Sequence, residues 1–123
     1  MNTDSAIAIK LDIPNFLFPE IIDRPQLFYD LLMPQQLDDL KGFLFDLLQD
    51  KDGSPEFDDF EVHAVKFDSS TQEGSFRLKF TINRRFCCAD STACQMDYLD
   101  FNFSYVKECV VARANYFNWN LDN

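Results

Sequence analysis

The sequence predicts a two-layer α+β fold, with N-terminal helices packed on a four-stranded antiparallel sheet in the order α-α-β-β-β-β. Three observations predict it. Leucine and phenylalanine recur at steps of three and four through residues 25–50, the spacing of one helix face. From about Phe57 the apolar period falls to two, most clearly at Phe76, Leu78, Phe80 and Ile82, the spacing of one strand face. The connections beyond Phe57 are short, which favours antiparallel neighbours. At 123 residues, the chain reads as a single domain over 1–123.

Residues 1–24 are expected to form an irregular N-terminal segment. Ala6 to Leu11 fits a short strand or a segment packed along the helices, and Pro14 and Pro19 interrupt the chain beyond it. The helices are expected over 25–50. Pro25 suits a first turn, where its missing N–H would have no partner. Leu27, Phe28, Leu31 and Leu32 then share a face. Pro34 disfavours helical geometry at Met33, so it ends this helix and can start the next. Leu37, Leu40, Phe43, Leu44, Leu47 and Leu48 form the apolar stripe of that second helix, with Asp38, Asp39, Lys41, Asp46, Gln49 and Asp50 mostly on its other side. Gly42 is a weak point of ~1 kcal/mol against alanine, for which close packing is the expected reason.

The segment Lys51 to Pro55 stops the helix, and the sheet is expected over 57–121. Phe60, Val62, Ala64 and Lys66 alternate with Glu61, His63, Val65 and Phe67. Neither set is consistently apolar, so the facing of this strand stays open and a bulge is compatible with it. Asp68 to Ser75 is a polar connection to the strand at 76–84. Arg85 to Gln95, with its small polar centre, reads as a loop. Leu99, Phe101, Phe103 and Tyr105 are expected inside, and the last strand runs from about Cys109 to Leu121. The sheet face away from the helices is expected to carry Arg77, Lys79, Asp100 and Asn102.

The formal net charge is −10, and its distribution is uneven. Residues 1–61 hold 14 acids and 4 bases, whereas residues 62–123 hold 7 of each. An acidic surface repels nucleic acid and anionic membranes and attracts basic partners. No apolar run reaches the length of a membrane span. The N-terminus lacks the basic start and apolar stretch of a signal peptide. A cytoplasmic location is therefore expected, without nucleic-acid or membrane partners.

No catalytic motif is found. There is no nucleophile elbow, phosphate loop or dinucleotide fingerprint, and only three glycines. His63 is the single histidine and reads as a surface or structural residue. Cys87, Cys88, Cys94 and Cys109 do not have the paired spacing that aims thiolates at one zinc ion. They read as buried or incidental thiols. A disulfide closing the 88–94 loop is geometrically open but unusual in a reducing cytoplasm. Asp50 to Gly53 matches a calcium loop only in part, because Leu48 stands where the first aspartate belongs. No cofactor, metal or catalytic residue is expected, and the chain does not read as an enzyme. In the aromatic tail, alternating aromatics read as core, but Tyr116 has the parity opposite to Phe117 and Trp119. One set is therefore open to exposure and, if exposed beside acids, would be an interface anchor.

A binding role fits better. Asp38, Asp39, Asp46, Asp50, Asp52, Glu56, Asp58, Asp59 and Glu61 are the candidate partner-binding residues, suited to arginines and lysines on another protein. In size, acidity and lack of a visible active site, the chain resembles bacterial immunity proteins in profile. That resemblance implies a basic toxin partner, such as a nuclease, inhibited by occlusion. The alternative is a small-ligand-binding α+β module without catalysis. An exposed edge strand at 57–67 or 109–121 is able to pair with a second copy, so a homodimer stays open.

Overall fold

Eight elements alternate their period as the sequence does. The computed structural model describes residues 5–48, 51–86 and 91–116. In chain order they are β1 (Ser5–Asp12), α1 (Phe18–Asp23), α2 (Gln26–Asp30), α3 (Pro34–Leu47), β2 (Glu56–Asp68), β3 (Glu73–Phe86), β4 (Ser91–Val106) and β5 (Cys109–Tyr116). The five strands form one sheet in the order β1-β5-β4-β3-β2. Every neighbouring pair is antiparallel. β1 and β2 are the two edges, and the three helices are built from the chain that connects them.

The fold is α+β with an antiparallel sheet, but it has five strands rather than the expected four and three helices rather than the expected two. The additional strand and α1 both come from the segment expected to be irregular. Ile7, Ile9 and Leu11 alternate, and Ile9 and Leu11 are buried. The partner of β1 is β5, from the far end of the chain, so local sequence alone could not choose between strand and coil. β1 takes the outer position, which makes β5 an inner strand and not the edge expected at 109–121. A second correction concerns Pro19, which interrupts nothing: it sits in the first turn of α1, where proline is tolerated. A third concerns Arg85 to Gln95, expected as a loop. Arg85 and Phe86 finish β3, and Ser91 to Gln95 already belong to β4.

The helices behave closer to expectation. Pro25 precedes α2 and Pro34 opens α3. Leu40 and Leu44 of α3 are buried, with Leu37, Phe43 and Leu47 packed around them. Gln36 fixes the start of α3 twice. Its Oε1 accepts the Met33 N–H at 2.8 Å, and its Nε2 donates to the Lys10 carbonyl of β1 at 2.7 Å. The expected close packing at Gly42 is absent, since a Cβ there would meet nothing within 4 Å.

β2 is where sequence parity misleads, for a definite reason. Its register against β3 shifts between Asp58 and Glu61 and again between His63 and Lys66. Asp59 (φ 55°) and Ala64 (φ 56°) take the left-handed conformation inside these bulges. Each bulge adds a residue and reverses which parity faces the core. Phe57, then Phe60 and Val62, then Val65 and Phe67 therefore all face the helices.

The core lies between the helices and one face of the sheet. Phe76, Leu78, Phe80 and Ile82 of β3 are buried, as are Leu99, Phe101, Phe103 and Tyr105 of β4. Val110, Ala112 and Ala114 supply the buried face of β5. Aromatic rings join the layers: Phe18 stacks on Tyr105 at 3.9 Å, Phe28 on Phe76 at 4.8 Å and Tyr29 on Phe60 at 5.3 Å. Such pairs contribute about 0.5–1.5 kcal/mol each beyond their buried area.

Candidate protein-binding surface

The residues between the core positions build the opposite face of the sheet, which no described helix covers. Register places them in rows. Glu56 of β2, Asn83 of β3 and Cys94 of β4 lie side by side, followed by Asp58, Thr81 and Met96. The next rows are Glu61, Lys79 and Tyr98, then His63, Arg77 and Asp100. The face expected to carry Arg77, Lys79, Asp100 and Asn102 does so.

Short polar contacts hold the acidic side chains of β2 on this face. Asn83 Nδ2 donates to Asp58 Oδ2 at 2.9 Å. The Thr81 hydroxyl lies 3.2 Å from Asp59 Oδ2. His63 Nε2 lies 2.8 Å from Glu61 Oε1. All four carboxylates, from Glu56, Asp58, Asp59 and Glu61, remain exposed. Those of Asp58, Asp59 and Glu61 are held in place by these contacts and still open to a partner.

The centre of the face is less polar. Met96 is 66% exposed and Tyr98 is 50% exposed. The Arg77 guanidinium lies 3.8 Å over the Tyr98 ring. It also forks onto Asp100, with Nε donating to Oδ1 at 2.8 Å and Nη2 to Oδ2 at 3.2 Å. That hydrogen bonding to Asp100 holds the Arg77 pKa above its ordinary value. The sequence reading missed Met96 and Tyr98. Both share the parity of Asp100 and Asn102, which was the available signal.

The nine candidate partner-binding residues do not form one cluster. Glu56, Asp58, Asp59 and Glu61 come together along β2. Asp38, Asp39 and Asp46 of α3 line a shallow surface beside Ala6 to Ile9 of β1, the opposite edge. Asp52 lies in the turn before β2, where its carbonyl accepts from Arg84 Nη1 at 2.8 Å. Asp50 lies outside the described residues, as do Cys87, Cys88 and the tail from Phe117.

Cys94 is exposed on the open face and Cys109 is half-buried; both are free thiols. Among the described residues, no three His, Cys, Asp or Glu side chains are arranged to hold a metal ion. An apolar cavity lies between helices and sheet, lined by Ile9, Leu11, Phe28, Leu40 and Phe101 among others, with a volume of about 30 Å³. That is room for little more than a water molecule. No described helix is long and apolar enough to cross a membrane. Comparison with protein-family models, with curated proteins and with solved structures finds no match to this chain.

Proposed function

We propose that this chain is a binding protein that neutralises a basic protein partner by covering its working surface. One observation carries the reading: Glu56, Asp58, Asp59 and Glu61 present their carboxylates along one strand of an open sheet face. Complementary charge of this kind speeds encounter and excludes acidic competitors. The finer form of the proposal is an immunity role against a toxic nuclease in a bacterial cytoplasm. Nucleases bind polyanions, so the surroundings of their active sites are basic and an acidic inhibitor suits them. Charge supports this finer form. The small-ligand alternative calls for a concave, mostly apolar pocket of roughly 300 Å³ or more. The apolar cavity between helices and sheet holds about 30 Å³. The larger depressions, of about 480 to 560 Å³, are shallow surface hollows with mixed polar and apolar linings. Neither kind favours a small ligand.

The test is capture of a partner from the native cell, followed by assay of that partner's activity with and without this chain. Expected are stoichiometric inhibition and an affinity that falls with added salt. A variant carrying Glu56→Lys, Asp58→Lys and Glu61→Lys is expected to bind at least about tenfold more weakly, with a shallower salt dependence. A captured partner that keeps its activity overturns neutralisation, and unchanged affinity of the triple variant moves the interface off β2.

A further inference from the structure

We propose that Tyr98 and Met96 anchor the basic partner, so that docking occurs on the open face across β2, β3 and β4 and not at the α3–β1 edge. This deepens the basic-partner reading and rests on it. Three observations lead there. First, tyrosine, methionine and arginine are the residue types enriched where protein interfaces bury most, and here they meet on one exposed patch. Second, Tyr98 is already oriented: Arg77 stacks on its ring at 3.8 Å and is fixed in turn by its two-point bond to Asp100. A side chain held before binding loses less freedom on binding. Third, the four rows around the patch set Glu56, Asp58, Glu61 and Asp100, with Asp59 beside Thr81, against Arg77 and Lys79. The excess is negative, which commits the occupant to a basic protein surface.

The geometry also indicates how that surface is read. β5 pairs with β4 only from Asn102 onward, so no described strand borders β4 at Met96 and Tyr98. This edge is nevertheless not bare. The Tyr98 N–H donates to Asp97 Oδ1 at 2.8 Å, which occupies a group that an added strand would need. Recognition therefore runs through side chains on the face: an apolar group over Met96 and Tyr98, with arginines or lysines reaching the carboxylates of β2.

The test uses the full chain with labelled methionine methyls and tyrosine rings. The probe is a synthetic peptide of alternating arginine and leucine, with an alternating glutamate and leucine peptide as control. Expected are shifts at Met96 and Tyr98 with the basic peptide and none with the acidic one. The double variant Met96→Ser, Tyr98→Ser is expected to bind the basic peptide about tenfold or more weakly. Shifts confined to α3 and β1 overturn the proposal. So does a Met96 methyl that already contacts Trp119 in the free chain, because its own tail is then the occupant. A shift that grows with protein concentration alone assigns the face to a second copy and overturns the proposal as well. If Glu56→Lys, Asp58→Lys, Glu61→Lys abolishes peptide binding and the serine variant does not, the anchor fails and the basic-partner reading stands. If the basic peptide binds no better than the acidic one, both fail.

Discussion

Two residues show how single atoms hold this fold together. The buried Tyr105 hydroxyl donates to the Ile13 carbonyl at 2.6 Å, tying β4 to the loop after β1. Burial, with Glu108 nearby, raises its pKa above the ordinary 10.0. The folded state therefore keeps its proton longer than the unfolded chain does. This group's contribution is complete below about pH 10 and is lost as pH rises through the raised value. Tyr105→Phe leaves a buried carbonyl unpaired and is expected to cost about 1–3 kcal/mol at neutral pH. It is also expected to flatten the fall of stability above pH 10, as read by denaturant melts at pH 7 to 11. Gly74 is held by close approach: a Cβ there would overlap the Lys66 carbonyl and sit 2.6 Å from Phe103 Cζ. Neither a backbone carbonyl nor a core ring gives way easily. Gly74→Ala is expected to destabilise by about 1–3 kcal/mol, measurable as a lower thermal midpoint.

The elements carry predictions of opposite sign. α3 contains Gly42 at an exposed position with free space beside it, so Gly42→Ala is expected to stabilise the protein by about 0.5–1 kcal/mol in the same melts. β2, as an edge strand, needs protection from pairing with other chains. Its bulges supply part of it. Gln26 of α2 supplies more, with Nε2 donating to the Phe60 carbonyl at 2.8 Å and Oε1 accepting the Val62 N–H at 3.1 Å. One side-chain amide thus satisfies two edge groups of β2, the strand read from sequence as a route to a homodimer. Gln26→Ala is expected to lower stability by about 1–3 kcal/mol and to promote self-association, seen by light scattering after size exclusion. A variant that stays monomeric at high concentration would show that the bulges and charges suffice.

For the molecule as a whole, charge sets opposite responses to salt. A net charge of −10 repels itself in the compact state. Raising salt from about 10 to 150 mM shortens the Debye length to about 8 Å and is expected to raise the thermal midpoint. The same change is expected to weaken binding to a basic partner. A midpoint that falls with salt would mean that attractive pairs, such as Arg77 with Asp100, outweigh the general repulsion.

Residue types and spacing by themselves determined the α+β class, the stripe of α3 and the buried faces of β3 and β4, because each element repeats its own period over many positions. They also separated the acidic first half from the balanced second. Only the tertiary structure decided the rest. Ser5–Asp12 is a strand because β5 completes its hydrogen bonds from the other end of the chain. The facing of β2 follows from two bulges whose left-handed residues, Asp59 and Ala64, are not glycines and so leave no local mark. Acidic residues close together in sequence are separated in space: Asp38, Asp39 and Asp46 lie beside β1, and Glu56, Asp58, Asp59 and Glu61 lie along β2, at the opposite edge of the sheet. Met96 and Tyr98, unremarkable as letters, gain their place from register alone, which lines them up with the carboxylates of β2 two strands away. Periodicity is a local property and can be read locally; adjacency across a sheet depends on which strands pair, and that is settled only when the chain closes on itself.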